Sequence, residues 1–203
     1  MKRQPQTGRA SDPIPLSHRA MEDLRFIRRA MENGNAFTAV PGWGGVAMGV
    51  TALMAAALAA GRATPEGWLA VWAAEAVIAA AIGAWAIDRK ARRFELPVFS
   101  GTGRKVLLGF APPALAGIIL TGALWQAGAT GLIPGAWLLL YGVAVVAGGT
   151  FSVRVVPLMG VCFMVLGALG LLLAPGAGNI LMALGFGGLH VVFGVIIARG
   201  HGG

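Results

Sequence analysis

The chain has 203 residues, of which 57% are hydrophobic and only 12% carry a charge. A soluble domain of this length cannot bury so much apolar surface in one core. The net charge of +8 does not indicate nucleic-acid binding, because the basic residues form short clusters beside apolar segments and no folded basic domain presents them. The composition therefore predicts an integral membrane protein without a nucleic-acid partner.

Two segments precede the first apolar stretch. Residues 1–16 contain three prolines and little apolar character, which is typical of a flexible tail. In residues 17–34, apolar side chains alternate at helical spacing with arginines that include Arg25, Arg28 and Arg29. This pattern predicts an amphipathic helix that lies on the cytoplasmic membrane surface, with its arginines at anionic headgroups.

Residues 35–203 are predicted to form the transmembrane domain. Its six apolar segments each approach the length of about 20 residues that crosses a hydrocarbon layer of roughly 30 Å. They cover residues 43–60, 68–87, 106–127, 132–147, 155–174 and 180–198. Short connections rich in Gly, Pro and Asn join them in pairs. We therefore expect an all-α fold with six transmembrane helices arranged as three helical hairpins.

Basic residues mark one side of these segments. Of the 16 Lys and Arg residues, only Arg62 falls in a connection on the other side. The positive-inside rule then places both termini in the cytoplasm, as in a protein of the bacterial inner membrane. The densest cluster follows the second segment and consists of Arg89, Lys90, Arg92 and Arg93. We expect this cluster, like the arginines of the amphipathic helix, to contact anionic lipid or to dock a partner protein.

Glycine occurs 32 times, and much of it lies inside the apolar segments, where it lowers helix propensity. Gly187, His190 and Gly194 share one helical stripe in the sixth segment. Small residues let helix backbones approach closely in lipid. The pattern predicts tight helix packing within the chain or in a homo-oligomer. Trp43, Trp68 and Trp125 lie near segment ends, where tryptophan anchors helices at the membrane surface.

The last hairpin resembles a known repeat. Residues 157–179 read PLMGVCFMVLGALGLLLAPGAGN, and residues 184–194 read LGFGGLHVVFG. This succession of a glycine-spaced helix, a Pro-Gly turn and a second helix that ends in Phe-Gly resembles the short repeat of HdeD-like acid-resistance membrane proteins, with the likeness strongest over residues 157–198. The resemblance implies three hairpins and an association with stress or acid tolerance. It implies no catalytic residues.

Three polar side chains are predicted to lie at membrane depth. Glu75, Tyr141 and His190 each belong to the second helix of a hairpin, at similar distances from the connecting turns. Ionisable groups in a bilayer need partners and face the bundle interior. If the even-numbered helices are neighbours, the three side chains meet and can carry or sense a proton. The alternative hypothesis is that they are structural hydrogen-bonding groups.

Other chemistry has little support in the sequence. Cys162 is the single cysteine, and neither a metal-ligand cluster nor a nucleotide-binding or hydrolase motif is present. We expect no metal, no cofactor and no enzymatic activity. The leading hypothesis is a role in membrane stress response, maintenance or sensing. The alternatives are a small-solute or proton-linked carrier or channel, and a membrane subunit of a larger complex.

Overall fold

The computed structural model describes residues 40–93, 101–172 and 175–201, together with Met21 and Leu24. Contacts within the chain define two units, Met1–Asn35 and Ala36–Gly203, and the helices described below belong to the second. The predicted tail and interfacial helix lie outside the described residues except for Met21 and Leu24, which are both helical.

The described part of the second unit contains six long helices. They are α1 (Gly42–Ala60), α2 (Pro65–Arg93), α3 (Gly101–Gln126), α4 (Ile133–Gly149), α5 (Val155–Leu172) and α6 (178–201). Helix α6 has a π-helical stretch, Ala183–Leu189, between the α-helical parts Gly178–Met182 and His190–His201. Within the described ranges no residue forms a strand, and all six helices are long and apolar enough to cross a membrane. The predicted all-α, six-span membrane fold is confirmed.

Local sequence explains where α2 begins and α3 ends. Pro65 is the first residue of α2, where its missing N–H costs nothing, and the hydroxyl of Thr64 accepts a hydrogen bond of 3.2 Å from the N–H of Gly67. After α3, Gly128 adopts a φ of 69°. The N–H of Ala129 then bonds to the carbonyl of Leu124 over 2.9 Å, which satisfies a carbonyl that the ending helix leaves free.

The helices pack in an order that differs from their order in the chain. Helix α1 contacts both α2 and α6; α6 packs on α4 and α5, and α3 packs on α4. Burial follows this order. In α4, half of the most apolar 18-residue segment is buried within the unit, whereas in α3 only 6% of the corresponding segment is buried. The core lies around Leu138 and Phe163, which are fully buried, while α3 presents most of its apolar side chains outward.

Glycines allow two cross-hairpin helix pairs to approach closely. Between α4 and α5, a Cβ atom on Gly142 would lie 2.6 Å from the carbonyl oxygen of Gly160, and one on Gly160 would lie 2.8 Å from that of Gly142. Between α1 and α6, a Cβ atom on Gly194 would lie 2.8 Å from the carbonyl oxygen of Gly42. Real side chains do not tolerate such distances, so these positions require glycine. The sequence prediction of tight, glycine-dependent packing holds for Gly194.

We predict that Gly142→Ala destabilises the protein and that Gly122→Ala does not. The added methyl group at position 142 meets the backbone of α5, and overpacking of this kind costs about 1–3 kcal/mol. At position 122 a Cβ atom has no neighbour within 4 Å, and alanine favours a helix over glycine by about 1 kcal/mol. Thermal unfolding of the two variants in the same detergent measures the difference. Equal melting temperatures would contradict the close contact between α4 and α5.

Candidate functional site

The centre of the bundle contains a hydrogen-bonded pair of side chains. The hydroxyl of Tyr141 on α4 lies 2.8 Å from Nε2 of His190 on α6. Both residues sit in the hydrophobic interior, and His190 is only 4% exposed. The structure therefore brings together two of the three membrane-depth residues that the sequence singles out, and their bond joins the two most buried helices.

Aromatic rings enclose this pair. The ring of Tyr141 meets Phe163 at a centroid distance of 4.8 Å, Phe186 at 4.9 Å and Phe110 at 5.8 Å, in each case at a steep angle. The imidazole of His190 stacks on Phe186 with an interplanar angle of 15°. These contacts come from α3, α5 and α6, so the pair has apolar rings on several sides. The surroundings favour uncharged forms of both polar groups.

The π-helical stretch of α6 ends immediately before His190. Nδ1 of His190 is a buried polar atom without a hydrogen-bond partner in the described part of the chain. π-helical turns are uncommon and occur often at functional positions. The stretch sets the position of the imidazole relative to Tyr141, and the sequence analysis did not foresee it.

Glu75 is not part of this pair. Its Oε1 atom lies 2.8 Å from the hydroxyl of Thr51 on α1, and its side chain is 6% exposed. Its hydrogen-bond partner belongs to α1, and among the described residues no hydrogen bond joins Glu75 to Tyr141 or His190. The predicted cluster of Glu75, Tyr141 and His190 is thus divided into two separate hydrogen-bonded pairs.

Asn179 forms a connection that the sequence analysis missed. Its Oδ1 atom accepts hydrogen bonds from the indole N–H groups of Trp68, over 3.1 Å, and Trp72, over 3.0 Å. Its amide nitrogen donates to the carbonyl oxygen of Ala56 over 2.9 Å. One side chain at the start of α6 therefore binds both α1 and α2. In the sequence, an asparagine after Pro-Gly-Ala-Gly indicates only a turn, and nothing there signals its bonds to residues more than 100 positions away.

A cavity opens beside Asn179 at the end of the bundle where the hairpin connections lie. It has a volume of about 260 Å³ and is lined by the first turns of α2, α4 and α6 and by the last turn of α3. Trp68 and Trp125 contribute aromatic lining, and Thr130 contributes a hydroxyl group. Trp68, which the sequence predicts to be a surface anchor, therefore also donates a hydrogen bond inside the bundle.

The basic side chains at the end of α2 differ in their burial and in their contacts. Arg89 places its guanidinium 5.2 Å from the ring centroid of Trp85, and Arg92 forms an exposed ion pair of 2.8 Å with Asp88. Arg93 is exposed. Lys90, in contrast, is 7% exposed and donates to the carbonyl oxygen of Val40 over 3.0 Å.

Of the predicted lipid or partner contacts, Arg89, Arg92 and Arg93 are therefore exposed, whereas Lys90 connects α2 to the residues just before α1. Arg25, Arg28 and Arg29 lie outside the described residues. Across the parts of the chain that the structure describes, no three His, Cys, Asp or Glu side chains meet in a group that would hold a metal ion.

We predict that replacing Asn179 by Ala lowers stability by more than a typical surface substitution. The change leaves the indole N–H groups of Trp68 and Trp72 without an acceptor, and each unpaired buried group costs about 1–3 kcal/mol. A double-mutant cycle provides the control: Trp72→Phe should cost clearly less stability in the Asn179→Ala background than in the wild type. Additive effects in thermal unfolding would show that the amide does not bind the indole.

We also predict the tautomer of His190. A neutral imidazole that accepts the hydroxyl proton of Tyr141 at Nε2 carries its own proton on Nδ1. Solid-state ¹⁵N NMR of the protein in lipid should show a neutral imidazole protonated at Nδ1. In Tyr141→Phe the Nε2 resonance should shift, because its hydrogen bond is lost. A resonance that does not respond to this substitution would contradict the pairing.

Comparisons of the chain with protein-family models, with curated proteins and with solved structures found no match in any of the three.

Proposed function

We propose that this chain is a non-enzymatic multi-pass protein of the bacterial inner membrane that acts in membrane stress response, maintenance or sensing. The observation that carries the proposal is the bond between Tyr141 and His190, which joins α4 to α6 inside an aromatic enclosure. A pair enclosed in this way contributes to helix packing and is sensitive to changes in its protonation.

The sensitivity follows from the donors and acceptors of the pair. In the neutral state Tyr141 donates its proton to Nε2 of His190. An imidazolium donates from both nitrogens, so the tyrosine hydroxyl would have to accept and turn its own proton toward the surrounding phenylalanine rings. That proton would lose its acceptor. Protonation of His190 therefore weakens the contact between α4 and α6, which gives the bundle a means of responding to acid.

Two further features support this function. The resemblance of residues 157–198 to HdeD-like proteins suggests membership of a family associated with stress or acid tolerance. The basic residues support a topology with both termini in the cytoplasm, in which Arg89, Arg92 and Arg93 meet anionic headgroups at the inner surface.

A proton-linked carrier or channel is the first alternative. The polar groups inside the predicted spans favour it, but it requires a path that joins the Glu75–Thr51 pair to the Tyr141–His190 pair. A membrane subunit of a larger complex, or a homo-oligomer, is the second alternative. The observation in its favour is the exposure of α3. This helix packs on α4, but only 6% of its most apolar 18-residue segment is buried.

We predict that survival of acid or envelope stress depends on the Tyr141–His190 pair. A strain that lacks the chain should lose viability under stress relative to its parent, and the wild-type chain should restore survival. Tyr141→Phe should restore less. Thr121→Val is the matched control. It removes the 2.8 Å hydrogen bond that Trp137 on α4 donates to Thr121 on α3, and it leaves the Tyr141–His190 pair intact. Equal survival of the deletion strain and its parent would sink the stress hypothesis.

Purified protein in liposomes separates the alternatives. The proposed function predicts no proton flux above that of protein-free vesicles when a pH-sensitive dye is enclosed. Flux that disappears in both Glu75→Gln and Tyr141→Phe would instead support the carrier. Native mass spectrometry of gently purified protein reports subunits and lipids, and a stable additional polypeptide would support the complex.

A further inference from the structure

The pair formed by Glu75 and Thr51 has more acceptor oxygens than protons. The Thr51 hydroxyl lies 2.8 Å from Oε1 of Glu75, 3.0 Å from the carbonyl oxygen of Met48 and 3.3 Å from that of Ala47. A hydroxyl group donates only one proton. With an ionised Glu75, that proton goes to the carboxylate, and the oxygens of Thr51 and Met48 then face each other without a proton between them.

An additional proton removes this conflict. A protonated Glu75 donates to Oγ1 of Thr51, and Thr51 then donates to the carbonyl oxygen of Met48, a backbone bond that threonine commonly makes within helices. Each short oxygen–oxygen contact then contains one proton. With one proton more than the ionised pair carries, both of these hydrogen bonds are therefore made.

The charges around Glu75 lead to the same result. Helix α1, which packs against it, contains no charged residue, and on α2 the next charged side chains are Glu66 and Asp88 near the two ends. On α6, which packs against α1, the titratable side chain inside the span is His190, and it is bonded to Tyr141. No described cation forms an ion pair with Glu75, and Lys90 lies at the far end of α2, bonded to Val40. A carboxylate at membrane depth without a cation is costly.

We propose that Glu75 and Thr51, with the carbonyl group of Met48, form a proton-binding site inside the membrane. The carboxyl group holds the proton and passes a hydrogen bond through the threonine hydroxyl to α1. The site connects α1 and α2, whereas the Tyr141–His190 pair connects α4 and α6. It is therefore independent of the proposed function and stands or falls on its own test.

Infrared spectroscopy of the protein in a detergent without ester groups, at neutral pH, tests the site directly, because a protonated carboxyl group has a C=O stretching band that a carboxylate lacks. The wild type should show this band, and Glu75→Gln should lose it. Glu66→Gln is the control, since Glu66 is exposed in the first turn of α2 and the band should remain. A wild-type spectrum without the band, or a band that survives Glu75→Gln, would overturn the proposal.

Variants of Thr51 test the hydrogen bond without removing the carboxyl group. Thr51→Val should shift the band to higher frequency, because the carboxyl loses its partner, and Thr51→Ser should leave it close to the wild-type position. Equal spectra for both variants would contradict the proposed network. Spectra in Na⁺ and K⁺ buffers at the same pH complete the test: a band that disappears in Na⁺ would show that a metal cation occupies the site in place of the proton, against the proposal.

Discussion

Close contact between helix backbones is the constraint on which the rest of this structure depends. Lipid removes the hydrophobic drive that brings soluble helices together, so packing relies on short-range dispersion contacts. Gly142 and Gly160 let α4 and α5 meet at the distance of backbone atoms, and Gly42 and Gly194 do the same for α1 and α6. With these pairs in place, α4, α5 and α6 surround Tyr141 closely enough to hold its hydroxyl at His190.

Polar side chains then fix which helices are neighbours. The pair on α1 and α2, the pair on α4 and α6, and the amide of Asn179 each cross from one helix to another. In a medium without water, a displaced helix would leave these groups without partners. The same groups that specify the arrangement are also the ones that can respond to a proton. A structural role and a sensing role are consequently compatible in this fold.

The sequence was sufficient to predict the fold but only part of the site. Hydrophobic length is a local property, and it predicted the six spans and the presence of Glu75, Tyr141 and His190 within them. Which helices are adjacent depends on contacts between distant positions, and for this reason the packing of α1 against both α2 and α6 could not be foreseen. The partners of Thr51 and Asn179 depend on that adjacency, so neither residue stood out beforehand.

Helix α2 is longer than a bilayer is thick. At 1.5 Å per residue its 29 residues extend about 43 Å, whereas a hydrocarbon layer measures roughly 30 Å. The stretch from Pro65 to Trp85 already spans about 30 Å, and the guanidinium of Arg89 lies 5.2 Å from the ring centroid of Trp85. The last two turns of α2, which include the Lys90–Val40 bond, therefore exceed the length that crosses the hydrocarbon layer. A thinner bilayer exposes more of α2 or tilts it, and through this bond the start of α1 follows.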